Sequence, residues 1–399
     1  MEIRKITKQE LATIEQLHQY AYGYWSDQEL RPEDLEFMLP DETFGLFEKG
    51  QLQSSLSLLN LQQSVRGVLK GMGGISMVGS YPEARRKGYV KELMQAAFLE
   101  MREKDLPVSM LEPFKESFYA RFGYVPASGQ LRLKAPLDSL RSASDTNLGR
   151  DWNFERVRGM QAKTTFLEFI SEFAPSHYHG FVIRPTMSDA EWNRRNKDAL
   201  VVFVRHHGKI EAVARYRIKG YMHLEPPGSL EVLEMHWRSL EAQAALFNFF
   251  AKHRDQVPDI RMRLPLETTF HYWFTDLSNS IELTTWNPWM VRVVDAEKSL
   301  ADLPAAQSGQ VTFKLVDPIC RWNSGTFTLD SDGHQLKVKR TQAATDTAIT
   351  IEGLSALVYG THPVEALKQA GWVKPVTPAV NAKLSQWFPV LPLYNPLNY

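Results

Sequence analysis

Gly71-Met72-Gly73-Gly74-Ile75-Ser76-Met77-Val78, then Pro82-Glu83-Ala84-Arg85-Arg86-Lys87-Gly88, then Tyr89–Lys104, is the stretch on which the fold turns. Val68–Val78, built of Gly, Val, Ile and Met, reads as a buried strand. Pro82 to Gly88 breaks it. Tyr89–Lys104 then carries Val90, Leu93, Met94, Ala97, Phe98 and Met101 at helical spacing, so it reads as a helix with one apolar face. Such a helix N-terminus presents unpaired backbone N–H groups and the positive end of the helix dipole. Arg85, Arg86 and Lys87 add cations, and Gly88 lets a ligand approach the backbone. Gly71, Gly73 and Gly74 suggest the same closeness along the strand. Read from these residues alone, the loop is either a phosphate cradle or a solvated surface turn. It lacks the Gly-Lys-Ser/Thr ending of a Walker A loop.

Outward from this centre, Ile3–Ile6 reads as a strand, Glu10–Tyr22 as a helix, and Thr43–Phe47 and Gln53–Leu61 as strands around Lys49-Gly50. Val108–Leu111 is a further strand and Phe118–Phe122 a short helix. The mixed order predicts an α/β layer over residues 1–140. After a polar stretch, Ser139–Gly149, residues 141–285 repeat the grammar: a hairpin of Ala199–Arg205 and Ile210–Lys219, a strand Glu231–Trp237, a helix Leu240–His253 and a strand Ile260–Leu264. Here only Trp237-Arg238-Ser239 stands where the basic turn would be. Residues 286–399 begin with a strand at Met290–Val294 and a helix at Ala296–Leu303. Alternating strands and three helices complete a small α+β unit.

Composition narrows the function. The chain has 399 residues, enough for two to four domains at roughly 100–200 residues each. Its 46 Lys+Arg balance 46 Asp+Glu, so no global basic field favours nucleic acid. One cysteine, Cys320, excludes an internal disulfide framework and multi-cysteine metal sites. No apolar run reaches the ~18 residues of a membrane span, and no signal core opens the sequence, which predicts a cytoplasmic protein with no membrane partner. His177-x-His179 and His206-His207 have no carboxylate or Cys at metal spacing in the sequence, so no metal is expected.

About thirty residues beyond the basic loop stands Phe118-Tyr119-Ala120-Arg121-Phe122-Gly123-Tyr124. Together with the strand Gly74–Val78 and the Arg85-x-x-Gly88 turn, this resembles the Gcn5-related N-acetyltransferases (GNAT). Val90 departs from the Gly or Ala usual there and tightens the turn. The whole length, with an active first copy, a degenerate second copy and a C-terminal unit similar to a sterol carrier protein, resembles the Eis-type acetyltransferases. That resemblance implies acetyl-CoA as cosubstrate, held by Met77, Val78, Arg85, Arg86, Lys87, Gly88, Tyr89 and Val90. It implies primary amines as acceptors, on polycationic small molecules such as aminoglycosides or on lysine side chains. A homo-oligomer, commonly a hexamer, is implied as well.

Acetyl transfer needs an oxyanion donor, an acid for the departing thiolate and a base for the amine. Backbone N–H groups near Ile75–Val78 can serve as the first. Tyr119, protonated at neutral pH, can donate a proton; on residue chemistry alone it reads first as a core aromatic beside Phe118 and Phe122, and the resemblance implies the acid. Residues 384–399 hold no charged side chain, and Pro389, Pro392 and Pro396 stiffen them, so this segment should dock in a groove. The resemblance implies that the Tyr399 α-carboxylate then reaches the site as base. Trp25, Asp27 and Phe37 would wall the acceptor site, and Glu112 would stand where the acceptor enters. Two rival readings remain: a protein that binds a lipid or other apolar ligand in its C-terminal part, and a pseudoenzyme that only binds CoA.

Overall fold

The computed structural model describes residues 1–25, 35–127, 129–140, 151–223, 225, 227–277, 281–286, 289–374 and 376–396. The chain divides into two compact units, one of residues 1–127, 175–187 and 288–399, the other of residues 128–174 and 188–287. Among the described residues no helix is long and apolar enough to cross a membrane.

The first unit begins with β1 (Glu2–Lys5), α1 (Leu11–Tyr22), β2 (Thr43–Glu48), β3 (Gln51–Val65), β4 (Val68–Ser80), α2 (Tyr89–Glu103), β5 (Val108–Leu111), α3 (Glu116–Ala120) and β6 (Val125–Pro126). Thr7 and Glu10 open the α1 region with a capping box, and Gly23, at φ 69°, closes the helix in the left-handed region. The β3–β4 hairpin is longer than the sequence reading, because Arg66-Gly67 supplies a two-residue turn with both φ positive, 52° and 81°. The strands run in the order β1-β2-β3-β4-β5, then Met290–Val293, then β6. Only the β4–β5 pair in this sequence of strands is parallel. α2 buries Leu93, Met94, Ala97, Phe98 and Met101 on the face carrying Phe44, Leu46, Leu56, Leu58 and Ile75. α1 lies on the other face: Leu17 and Ala21 touch Gly79, whose cross-strand partner Ser55 points opposite to Leu56.

Two expected boundaries shift. Met290–Val293 was assigned by sequence to the 286–399 segment, but it pairs with β5 and β6 in the first sheet. Gln130–Pro136, expected within residues 1–140, pairs with Asp259–Pro265 and Glu282–Trp286 in the second unit's sheet. Pairing partners, unlike strand propensity, carry no local signal, so a strand that leaves its neighbours in sequence is invisible to periodicity. Of the polar stretch expected to link the segments, residues 141–149 lie outside the described residues, and Ser139 is buried in a short 3-10 turn.

The rest of the first unit is a short strand, Val182–Ile183, which pairs with β3, and the α+β part. Pro304–Val316 pairs antiparallel with Gly325–Thr341 and parallel with Ala348–Thr350, which pairs with Val373–Lys374. Gly325–Thr341 is one long strand where two short ones were expected. Ile351–Tyr359 is almost wholly buried beneath this sheet, and Pro378–Trp387 docks by Lys383 Nζ to the Gln310 carbonyl and Trp387 Nε1 to the Gln307 carbonyl, each at 3.1 Å.

The second unit has a seven-stranded sheet, ordered Glu282–Trp286, Gln130–Pro136, Asp259–Pro265, Ser229–Trp237, Lys209–Lys219, Leu200–His206 and Trp152–Arg158. Its one parallel pair, Ser229–Trp237 with Asp259–Pro265, brackets the helix Leu240–Ala251 as β4 and β5 bracket α2. The expected second copy is therefore present in topology.

Candidate active site

β4 and β5 are paired from Met72–Val108 to Ile75–Leu111. β5 then ends, whereas β4 continues to Ser80. A wedge opens along Ser76–Ser80, and on this side no strand of the described residues covers β4. Within it the β3–β4 register slips between Ser55 and Ser57, and Met77 adopts φ 49°. A bulge with a non-glycine residue in the left-handed region is strained backbone, and it turns peptide groups away from the ladder. The Tyr22 hydroxyl donates to the Val78 carbonyl at 3.1 Å and so fixes one of these peptides. Sequence reading missed Tyr22, which stood only as the end of the Glu10–Tyr22 helix.

The basic loop lies past the wedge. Arg85, Arg86, Lys87 and Gly88 are all exposed. Arg86 and Gly88 both take positive φ, 63° and 85°, and Gly88 is the N-cap of α2. A Cβ at Gly88 would meet nothing within 4 Å, so the space before the helix is open. Gly88 supplies no capping side chain, and its carbonyl accepts from Lys91 and Glu92, leaving the Tyr89 and Val90 amides outside the helix ladder. Lys87 turns back to Glu48 at 3.7 Å, and Tyr89 donates to the same carboxylate at 2.9 Å. Neither Arg85 nor Arg86 has an ion-pair partner among the described residues. Val90 is half-buried and packs on the α2 core.

The glycines of β4 are placed differently from the expectation. Gly73 faces Met101 of α2 and Gly71 faces the Asp105 carbonyl in the turn that follows it, so they make room for the helix and its exit. A Cβ at Gly73 would stand 2.6 Å from the Met101 methyl. They serve helix packing, not ligand approach.

Tyr119, on α3, is buried and ringed by Phe114, Phe118 and Tyr124, with centroids 5.8, 5.1 and 6.3 Å away. Among the described residues its hydroxyl has no hydrogen-bond partner. Burial, reinforced by the nearby Tyr22 phenol, holds the Tyr119 hydroxyl well above the ordinary phenol range. Burial likewise pushes the Tyr22 hydroxyl up to about 12, although half of that residue is exposed. Phe114, highly exposed, makes an apolar approach to Tyr119 that the sequence did not reveal.

α3 is anchored from below by Arg292, which sits wholly buried in the strand between β5 and β6. Its guanidinium donates to the Phe122 carbonyl, makes a two-oxygen ion pair with Asp317, and stands 4.6 Å over the Phe98 ring. Gly123, at φ 82°, leaves space that any side chain would take from Arg292. The glycine of the Phe118–Tyr124 motif is thus explained by a residue 169 positions downstream, which spacing alone could not show. Cys320 lies beside this pair, and burial pushes its thiol up to about 12, far from a nucleophile's range.

Among the remaining expected residues, Trp25 is exposed and meets Tyr20 edge-on at 5.8 Å. Phe37 is half-buried, and Glu112 is exposed just past the end of β5. Asp27 and Tyr399 lie outside the described residues. Residues 391–396 are buried or half-buried, as the apolar tail predicts. Leu391 N donates to the Gly360 carbonyl, Tyr394 N to the His179 carbonyl, and Trp289 Nε1 to the Asn395 carbonyl, at 3.0, 2.9 and 3.1 Å.

In the second unit the corresponding helix Leu240–Ala251 is closed at its start: Ser239 Oγ accepts from Ala242 N at 3.2 Å. Arg238 points away to Glu172 at 3.0 Å. The wedge after Val232–Met262 holds Glu234, buried between Arg215 at 3.0 Å and His236 at 2.9 Å.

A parallel pair that splays beside a helix with an open, cationic N-terminus is matched by comparison with known proteins. Residues 2–127 match an acetyltransferase (GNAT) domain family, residues 180–293 a second acetyltransferase (GNAT) domain family, and residues 296–395 the sterol carrier protein domain family. The chain carries two GNAT acetyltransferase domains. Uncharacterized N-acetyltransferases are among its relatives: one from Streptomyces coelicolor is 25% identical over 328 residues, covering 79% of this chain and 78% of that protein. A GCN5-related N-acetyltransferase from Anabaena variabilis shares the fold with a TM-score of 0.86 at 18% identity, covering 99% of each chain. Eis1 from Mycobacterium abscessus shares it with a TM-score of 0.81 at 19% identity, covering 100% of each. The chain therefore has two GNAT domains and a sterol-carrier-like domain, the architecture that its whole length implied.

Proposed function

We propose that the wedge between β4 and β5 is the acetyl-transfer site and that its acceptor is a primary amine on a polycationic small molecule or a lysine side chain. The observation that carries this is the early end of β5 at Leu111 beside a strained Met77, with Tyr119 buried nearby. Arg85 and Arg86, with the Lys87–Val90 amides, hold the CoA pyrophosphate; their open, unpaired arrangement fits an anion. The amine nitrogen attacks the thioester carbon, and N–H groups at Met77 and Val78 stabilise the oxyanion. As the C–S bond breaks, the Tyr119 hydroxyl gives its proton to the thiolate. The amine's proton passes to the Tyr399 α-carboxylate, directly or through water. Trp25, Asp27, Phe37 and Glu112 line the acceptor side, and Glu112 favours a cation there.

The second GNAT domain binds no CoA in this reading, because Ser239 occupies its helix N-terminus. The sterol-carrier-like domain fills its interior with its own Phe313, Phe327, Leu354 and Leu357, which argues against an apolar ligand as the main function. Thiol release from acetyl-CoA across a panel of amines tests the proposal. Turnover with polyamine or lysine acceptors is expected; acetyl-CoA binding without turnover on any amine would make the protein a CoA-binding pseudoenzyme.

A further inference from the structure

Asp151, His206 and His207 bring one carboxylate oxygen and two imidazole nitrogens to within 4.8 Å of one another. Spacing in the sequence hid this cluster, because its carboxylate stands just before a neighbouring strand, 55 residues ahead of His206. The expectation that these histidines lack a carboxylate is thus corrected by the fold. We propose that the three residues form a binding site for a borderline divalent transition-metal ion, with zinc as its type.

Backbone geometry builds the cluster. Leu200–His206 and Lys209–Lys219 form a hairpin whose turn, His207-Gly208, has φ 48° and 82°. Two positive φ values are the mark of the tight hairpin turn whose twist suits the strands. Neighbours on a regular strand point to opposite faces. The left-handed backbone at His207 cancels that alternation and brings the two imidazole centroids to 4.1 Å. On the adjacent strand Trp152 pairs with His206, and its indole stacks on the His206 ring at 4.4 Å with 12° between planes. That stack holds one ligand in orientation. Asp151, one residue before Trp152, falls beside the turn by the same register.

The donor set selects the ion. A metal with ligands at roughly 2.0–2.2 Å holds its donors about 3–4 Å apart, so a small side-chain rotation closes the site. Imidazole pairs suit zinc, nickel or copper; magnesium and calcium prefer all-oxygen shells. Three protein ligands leave further positions to water, and exposed Asp151 and His207 let the ion enter without opening the fold.

The test is calorimetric titration of the full, tag-free chain with zinc chloride, and in parallel with magnesium chloride. One zinc per chain and no magnesium heat are expected. His207→Asn keeps a residue that tolerates the left-handed backbone at an exposed position, so the fold should survive. It and Asp151→Asn should each weaken zinc binding by about tenfold or more, the scale on which even outer-sphere partners act. No zinc binding to the parent chain, or equal affinity in the parent and both variants, overturns the assignment.

Discussion

Arg292 and Asp317 form an ion pair at 2.8 Å in which neither side chain reaches solvent. Asp317 also accepts from the Ile319 and Cys320 amides and from Asn323, so its carboxylate is fully engaged. Through the Phe122 carbonyl the same guanidinium sets the end of α3 and hence the ring of Tyr119. Arg292→Ala strands a buried carboxylate and should cost about 3–5 kcal/mol, measured by urea unfolding. A paired Arg292→Met/Asp317→Asn variant should lose less, because no charge is left alone. If the single and double variants unfold at the same denaturant concentration, the pair does not anchor α3.

Tyr119→Phe keeps the ring among Phe114, Phe118 and Tyr124 but removes the proton donor. Turnover should fall by about 10²–10⁴-fold while acetyl-CoA affinity and stability hold. Because burial raises the phenol, it stays protonated below its ordinary value of about 10. The parent enzyme's pH profile should therefore show no alkaline loss assignable to Tyr119 below about pH 10. A Phe variant with near-parental turnover would return Tyr119 to a packing role.

The cofactor loop makes a prediction about stoichiometry as well as affinity. In the proposed site Arg85→Ala and Arg86→Ala would each remove a charge-assisted contact worth roughly 1.5–3 kcal/mol, so acetyl-CoA affinity should drop about tenfold or more. Calorimetry should count one acetyl-CoA per chain, because Ser239 caps the second helix and Gly88 leaves the first open. A count of two would show that the Ser239 cap is displaced by a phosphate.

His179 makes stability depend on acid. Its Nδ1 accepts from the Arg66 amide at 3.0 Å, so the Nε2–H faces the Tyr359 carbonyl, also at 3.0 Å. Burial, opposed by the Tyr359 carbonyl and aided to a lesser extent by the Arg66 charge, lowers its pKa to about 4. The folded state thus binds fewer protons than the unfolded one between about pH 6.5 and 4. Stability from this group is complete above about pH 6.5 and is lost as pH falls toward 4, up to about 3 kcal/mol at roughly 1.4 kcal/mol per unit. His18, buried with a pKa also lowered to about 4, adds to the same limb. His179→Ala should destabilise the protein at pH 7.5 and flatten the acid limb. An unchanged slope would assign the limb to other groups.

Local patterning made the first GNAT domain legible. The α2 stripe of Leu93, Met94, Ala97, Phe98 and Met101 is amphipathic at helical period, and Gly88 marks its start. The motif around Tyr119 falls on α3. What depended on pairing was hidden: Met290–Val293 entering the first sheet, Gln130–Pro136 leaving it, Arg292 beneath Gly123, and Asp151 beside His207. The roles of Gly71 and Gly73 were misread because a glycine signals closeness without saying to what; here it is α2 for Gly73 and the turn after α2 for Gly71.

The C-terminal tail carries the last prediction. Asn395 accepts from the Trp289 indole, and Trp289 precedes Met290, which pairs with Leu111 at the end of β5. Leu111 is also the last partner of Ile75, where the wedge begins. Asn395 is therefore tethered through Trp289 to the strand that borders the wedge. Four further residues, at roughly 3.3–3.6 Å each, give a reach of about 13 Å when extended. A chain ending at Tyr399 can bring an α-carboxylate, with an ordinary pKa of about 3.3–3.7 and so ionised at neutral pH, toward a cationic amine held there. Chain-end position should then matter more than the last side chain. Tyr399→Phe should keep most activity. A chain extended beyond Tyr399 by an uncleaved tag, or shortened by Leu397–Tyr399, should lose nearly all acetyl transfer and still bind acetyl-CoA at Arg85 and Arg86. Equal turnover by extended and native-ended chains would remove the carboxylate from the mechanism and make Glu112, exposed just past β5, the group to substitute next.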